Sequence, residues 1–298
     1  MSKKSVQSLV YSGVILLIGG AIAWAGSQGG ATAGGWPVFA LCAGISFALN
    51  GLVFVHAFRA RTERFFDLTG SLTYLTLLTS ALLLSGDIGA RDFLLAGMVG
   101  FWAIRLGSFL FARVRRDGSD GRFDRVKSRP AQFFMWWMLQ GLWVLLTAAC
   151  TLAAISSKAS PPLGLVAMVG VGLWLFGQII EIISDQQKKA FRERSENQGR
   201  FITSGLWAFS RHPNYLGEII LWVGIAITAL PALSGWQFAT LISPIFVFIL
   251  LTRISGIPIL EARSARQWGN EREFQDYLER TPILFPRPFP HSRPHPSR

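Results

Sequence analysis

The chain has 298 residues, of which 51% are hydrophobic and only 15% charged, and it carries a net charge of +12 at neutral pH. Soluble domains hold about 25% charged residues, and apolar runs such as 163–183 and 236–251 approach or exceed the ~18 residues that signal a membrane span. That excludes a single soluble domain, and the sequence predicts an all-α polytopic integral membrane bundle of about seven or eight transmembrane helices.

In chain order the expected spans are 8–25, 36–58, 67–85, 93–112, 133–155, 162–184, 214–233 and 236–255. All but three of the 29 Lys and Arg fall in the segments 1–7, 59–66, 113–132, 185–213 and 253–298. The alternate loops hold only Arg91 and Lys158, and Arg105 lies inside a span. This alternation fits the positive-inside rule with both termini cytoplasmic. The basic balance is therefore topology, not a nucleic-acid footprint.

The run after Lys3 and Lys4, with Ala23-Trp-Ala25 at its end, fits a signal peptide and equally a retained first span. The Gly-rich, uncharged stretch 26–35 reads as a short external connector. Cys42 and Cys150 fall inside spans without metal-ligand spacing and read as buried packing thiols; no metal site is expected. A basic turn at 59–66 leads into Asp67-Leu-Thr-Gly-Ser-Leu-Thr-Tyr74, which is unusually polar for the start of a span. Asp67 there either caps the helix or stands with Tyr74 at the rim of a cavity, where the two hand a proton to a substrate.

Arg105 is expensive inside a membrane, so it is read as a paired or ligand-contacting residue. The alternating Asp and Gly of 117–124 lack the terminal Glu of a calcium loop. Trp136, Trp137 and Trp143 read as interfacial anchors, and Gln140 as a residue that bonds across helices. The span ending near 184 continues as a basic amphipathic helix through Asp185, Lys188, Lys189 and Arg192. Asp185 and Arg192, seven apart, share a face, and Asp185 with the two lysines also fits plain surface pairing.

The next stretch, Gly205-Leu-Trp-Ala-Phe-Ser-Arg-His-Pro-Asn-Tyr-Leu-Gly-Glu218, gathers Arg211, His212, Asn214, Tyr215 and Glu218 where a polar segment enters a span. Pro213 suits a first helical turn, and the free N–H groups there suit a phosphate. The segment 267–280 has helical periodicity, with Trp268, Phe274, Tyr277 and Leu278 placed to lie on the membrane surface. The Pro-rich residues 287–298 read as a disordered tail. There is no Gly-x-Gly-x-x-Gly and no phosphate loop. A nucleotide therefore has to bind between membrane helices from the cytoplasmic side.

Leu206-Trp-x-x-x-Arg-His-Pro-Asn-Tyr-x-Gly-Glu218, preceded by Asp185-x-Gln-x-x-x-Phe-Arg192 and Arg200, resembles the C-terminal region of steroid 5-alpha-reductases and their bacterial membrane relatives. The likeness runs over about 95–286 and includes Arg105-Leu-Gly and Tyr277-x-x-Arg280-x-Pro. Isoprenylcysteine carboxyl methyltransferases share Arg-His-Pro-x-Tyr-x-Gly and bind S-adenosylmethionine with it. The reductase resemblance implies a C-terminal cofactor domain, 93–286, and a set of N-terminal helices, residues 1–92, on the substrate side.

It implies NADPH held by Asp185, Arg192, Arg200, Arg211, His212, Asn214, Tyr215, Glu218 and Arg105. Arg192 and Arg200 would take phosphates, and Asn214 and Glu218 the nicotinamide end. The implied reaction is hydride transfer to an activated C=C bond of a steroid-like or other lipid substrate, with Asp67, Tyr74 and Glu218 as the catalytic set. Glu181 stands where the family has Asn, and the family's Gln-Glu pair has no clear counterpart; Asp67 with Tyr74 is the substitute. The location implied is a bacterial inner membrane, with no obligate protein partner evident. The alternative is an S-adenosylmethionine-dependent membrane methyltransferase.

Overall fold

The computed structural model describes residues 3–117, 123, 124, 126–159 and 161–286. The proposed tail 287–298 and most of 117–124 lie outside the described residues. The described residues are mostly helical: α1 (Lys3–Ser27), α2 (Val38–Arg59), α3 (Phe66–Leu84), α4 (Ala90–Asp117), α5 (Pro130–Ile155), α6 (Leu165–Glu193), α7 (Pro213–Ala229), α8 (Ile242–Ile249), α9 (Ile257–Trp268) and α10 (Arg272–Arg280). In the connector after α1, strands β1 (Thr32–Ala33) and β2 (Trp36–Pro37) pair through Gly34 and Gly35, whose positive φ values of 58° and 83° make the tight turn.

Eight helical segments among the described residues are long and apolar enough to cross a membrane. Helices are what such sequences must form, because a lipid interior leaves backbone N–H and C=O groups no partner outside the chain itself. The protein is an integral membrane protein.

The chain forms two compact units. The first comprises Met1–Gly170 and Ile225–Phe246, and α5 is its hub, packed against α1, α2, α3 and α4. Its apolar window is 89% buried, against at most 56% for any other span, because α1, α2, α3 and α4 all pack around it. Trp137 therefore does not act as an interfacial anchor; it is fully buried, edge-on to Phe66 and Phe133.

Gln140 bonds across helices as expected, donating to Asn50 Oδ1 and to the Phe66 carbonyl, both at 2.9 Å. On the loop side of this unit, buried Arg91 donates to the carbonyls of Thr228 (2.6 Å), Pro162 (2.8 Å) and Pro161 (3.4 Å). One guanidinium thus satisfies the end of α7 and the non-helical lead-in to α6. Cys42 and Cys150 are buried free thiols.

The last span is not one continuous α-helix. It starts as a 3-10 segment (Gly235–Leu241), becomes α8, and widens to a π turn at Leu250–Ile254. Ser234 and Gln237 close a capping box at its start. Ser243 Oγ donates to the carbonyls of Leu146 and Thr240 and accepts the Cys150 N–H, drawing that end onto α5.

The second unit comprises Val171–Gly224 and Val247–Arg298. In it α6 and α7 meet backbone to backbone. A Cβ on Gly177 would lie 2.5 Å from the Gly217 carbonyl oxygen, and one on Gly217 2.6 Å from that of Gly177. Only glycine permits this approach, which brings the polar residues flanking each glycine to the same level.

Candidate functional site

The C-terminal end of α6 and the segment after it build a cavity of about 140 Å³ in the second unit. Five cations line it: Lys188 and Arg192 from α6, Arg200 and Arg211 from the connecting segment, and Arg263 from α9. Glu261, Trp207, Trp268 and Tyr277 complete the polar and aromatic wall.

The connecting segment is held in place residue by residue. Gly205 has φ of +63°, and a Cβ there would strike the Gln187 side chain. Gln187 Oε1 instead accepts the Leu206 N–H at 2.9 Å, starting the short 3-10 turn Gly205–Ala208. Trp207 Nε1 donates to the Ser184 carbonyl at 3.1 Å, and Lys188 Nζ sits 4.4 Å above its ring, a cation–π contact. Tyr277 of α10 donates its hydroxyl to the Trp207 carbonyl at 2.8 Å. Burial raises the Tyr277 pKa, and nearby Arg211 only weakly opposes the shift, so the hydroxyl stays a donor.

Arg211 and His212 converge on one carboxylate. Arg211 NH1 donates to Glu261 Oε2, and His212 Nε2 lies 2.8 Å from Glu261 Oε1. Burial lowers the His212 pKa, against the opposing pull of Glu261, so the ring is neutral at pH 7. Its Nε2 then carries the proton and donates to Glu261. That leaves the buried Nδ1 as an acceptor with no partner among the described residues. Tyr215 stacks on the His212 ring at 5.7 Å and 11°. Next to Tyr215, Asn214 Nδ2 donates to Asp185 Oδ1 at 3.3 Å, tying α7 to α6.

Of the residues singled out from sequence, the cavity gathers Arg192, Arg200, Arg211 and His212. Asp185, Asn214 and Tyr215 are placed beside them by the contacts above, and Glu218 lies one turn beyond Asn214 on α7. Arg105, on α4 in the first unit, does not line the cavity. Asp67 and Tyr74 also belong to the first unit, seven residues apart on α3. Asp67 sits in the first turn, with Phe65 at the N-cap, and buried Tyr74 stands edge-on to Trp102 at 5.3 Å.

Lys188, Glu261, Arg263, Trp268 and Tyr277 join the site without having been expected there. Lys188 was the most accessible to pattern, being spaced 3 and 4 residues from Asp185 and Arg192 on one helical face. The placement of Trp268, Phe274 and Tyr277 on the membrane surface is corrected. Their rings close around Phe201 at 5.0–5.6 Å, and Phe274 and Tyr277 are buried.

Among known proteins, the chain is 31% identical over 120 residues to 3-oxo-5-alpha-steroid 4-dehydrogenase 1 of Bos taurus, covering 40% of this chain and 41% of that protein. The same enzyme of Rattus norvegicus matches at 31% over 120 residues, 40% of each chain. Very-long-chain enoyl-CoA reductase of Dictyostelium discoideum matches at 31% over 71 residues, 24% of this chain and 23% of that one. The chain thus spans about two fifths of the length of the steroid dehydrogenases it matches. No solved structure matches. The family model described as "Protein of unknown function (DUF1295)" matches residues 53–281. With that model covering most of its length, and the steroid enzymes aligned beside it, the chain belongs to the DUF1295 family, a steroid 5-alpha-reductase-like family of membrane proteins.

Proposed function

We propose that this protein is a membrane-embedded, NADPH-dependent oxidoreductase that reduces an activated C=C bond of a steroid-like or other lipid enone. The observation that carries this reading is the cavity with five cations and one carboxylate in its wall. A dinucleotide with three phosphate groups matches such a charge set, whereas S-adenosylmethionine carries no phosphate and leaves most of it without purpose. The names of the relatives agree in kind: one denotes a 3-oxosteroid 4-dehydrogenase and another an enoyl-CoA reductase.

In this reading Arg192 and Arg200, joined by Lys188, Arg211 and Arg263, hold the phosphates. Trp268 offers flat apolar surface for the adenine. The His212 Nδ1 accepts from a ribose hydroxyl, and Asn214 and Glu218 orient the nicotinamide end. The cofactor supplies a hydride to the β-carbon of the enone. Asp67 and Tyr74 are the proposed proton donors to the substrate carbonyl, where negative charge builds as the double bond is lost. A donor set in a dry site stabilises that charge far more than water does. In this reading both termini and the cofactor entrance face the cytoplasm of a bacterial inner membrane, which the charge alternation supports.

The test is turnover in detergent micelles: NADPH oxidation dependent on an added 3-oxo-4-ene steroid or a 2-enoyl lipid. Loss of the nicotinamide absorbance with formation of the saturated ketone or acyl product is the expected result. Methyl transfer from S-adenosylmethionine to a lipid acceptor, with no NADPH oxidation, would overturn the proposal.

A further inference from the structure

Along α6 the residues Trp174, Gln178, Glu181, Asp185, Lys188 and Arg192 are spaced 4, 3, 4, 3 and 4 apart, which sets them in one line on one helical face. The other side of the helix is built for lipid, with Leu175, Phe176, Ile179 and Ile183 all exposed. The polar line starts inside the span and ends in the cation-lined cavity, where Lys188 and Arg192 form a stretch of the wall. Asp185, Lys188 and Arg192 are accounted for by the contacts of the site.

Gln178 is not. It is 3% exposed, ten residues and about 15 Å of helix below Lys188. Both Nε2 and Oε1 are buried without a hydrogen-bond partner among the described residues. A buried side chain in that condition is unfavourable, and a Leu or Met of similar size would avoid the penalty. Stability of the bundle does not explain a glutamine there. A ligand does.

The two orphaned atoms also say what kind of ligand. One is a donor and the other an acceptor, side by side, and this holds whichever way the amide is flipped. A ketone, ester or phosphate satisfies only the N–H side. A primary carboxamide satisfies both, accepting from Nε2 and donating to Oε1. Gln178 also follows Gly177, the residue at which α6 and α7 make their backbone contact. Glu218 likewise follows Gly217, so the two polar side chains flank one crossing point. That is the level assigned above to the nicotinamide end.

We infer that Gln178 recognises the carboxamide of the cofactor's nicotinamide ring, amide to amide, and so fixes which ring face is presented to the substrate. The inference rests on the NADPH reading of the cavity. It assigns the two ends of one ligand to one helix: phosphates at Lys188 and Arg192, carboxamide at Gln178.

The experiment measures equilibrium binding to the full chain in detergent for three probes, on wild type and on Gln178→Leu. The probes are NADPH, its 3-acetylpyridine analogue, in which a methyl ketone replaces the carboxamide, and adenosine 2′,5′-bisphosphate, which has no nicotinamide. Wild type should prefer NADPH over the analogue by about tenfold, the scale of one buried hydrogen bond. Gln178→Leu should lose that preference, hold the bisphosphate as wild type does, and melt without ligand at the same or a higher temperature.

A retained preference in Gln178→Leu would overturn the inference, as would a clear fall in its ligand-free melting temperature, which would make Gln178 structural. If wild type binds the bisphosphate and NADPH but never distinguishes the analogue, the carboxamide inference fails and the cofactor reading stands. If wild type binds none of the three, both fail.

Discussion

Replacing Glu261 by Gln separates two roles of one carboxylate and moves two observables in opposite directions. In the folded protein Glu261 accepts from Arg211 on one oxygen and from His212 on the other. A glutamine keeps one acceptor and puts an NH2 where the second was. It can serve either Arg211 or the His212 Nε2–H, not both. Breaking a fully buried ion pair from one side costs about 3–5 kcal/mol. Here the Glu261 side chain is 30% exposed and that of Arg211 12%, so we expect about 2 kcal/mol of lost stability, after discounting for solvent screening.

Binding moves the other way. Glu261 is the negative group set among the five cations, and removing its charge strengthens their pull on phosphates. A unit charge about 10 Å from a phosphate is worth ~1–2 kcal/mol at an effective dielectric constant of about 20, and less at ordinary salt. Glu261→Gln should therefore melt at a lower temperature without ligand yet bind NADPH about three- to tenfold more tightly. Thermal melts by intrinsic Trp fluorescence and nucleotide titrations on the same preparation read both. Weaker binding together with lower stability would refute the reasoning, since Glu261 would then be needed to hold the ligand or its cradle.

Arg91→Ala should lower thermal stability by about 3 kcal/mol, because three carbonyls lose a charged donor at once; nucleotide affinity should stay at the wild-type value in the same titration. Gly205→Ala should cost about 2 kcal/mol, combining a residue forced to positive φ with loss of the Gln187–Leu206 bond, and it should weaken NADPH binding as the Trp207 wall shifts. The lowered His212 pKa gives a stability contribution that is present above pH ~6.5, the pKa in the unfolded chain, and is lost as the pH falls through the lower folded value. Melting temperature should drop on acidification below about pH 6.5, with a shallower drop in His212→Gln; equal slopes would remove His212 as the titrating group.

Spans and their spacing were legible because a membrane imposes length and hydropathy on each helix separately. The extension of α6 through Asp185 and Arg192 followed from periodicity alone, as did the polar start of α7 at Pro213. The partners of those residues did not. Glu261 lies 49 residues beyond His212, and Tyr277 lies 70 beyond Trp207. Glu261 sits in no motif that would connect it to the Arg-His-Pro stretch, and the motif Tyr277-x-x-Arg280-x-Pro does not say what the Tyr277 hydroxyl meets.

The aromatic residues of α10 show the same limit. An amphipathic pattern identifies a face, but not whether lipid or Phe201 covers it. Trp137 carries the matching ambiguity, since a Trp near a span end suits an interface equally well as a packed core. In the last span Ser243 reaches α5, a contact that no local pattern records.

Whether the cation-lined cavity takes the phosphates of a dinucleotide is tested most directly by one titration series. NADPH and S-adenosylmethionine would each be titrated against wild type and Arg192→Ala/Arg200→Ala in detergent, at two salt concentrations. The expected result is saturable NADPH binding that weakens with salt and falls at least tenfold in the double variant, about 1.4 kcal/mol or more, with S-adenosylmethionine inert. Tight, salt-insensitive binding of S-adenosylmethionine, unaffected by the loss of both arginines and with NADPH inert, would contradict it.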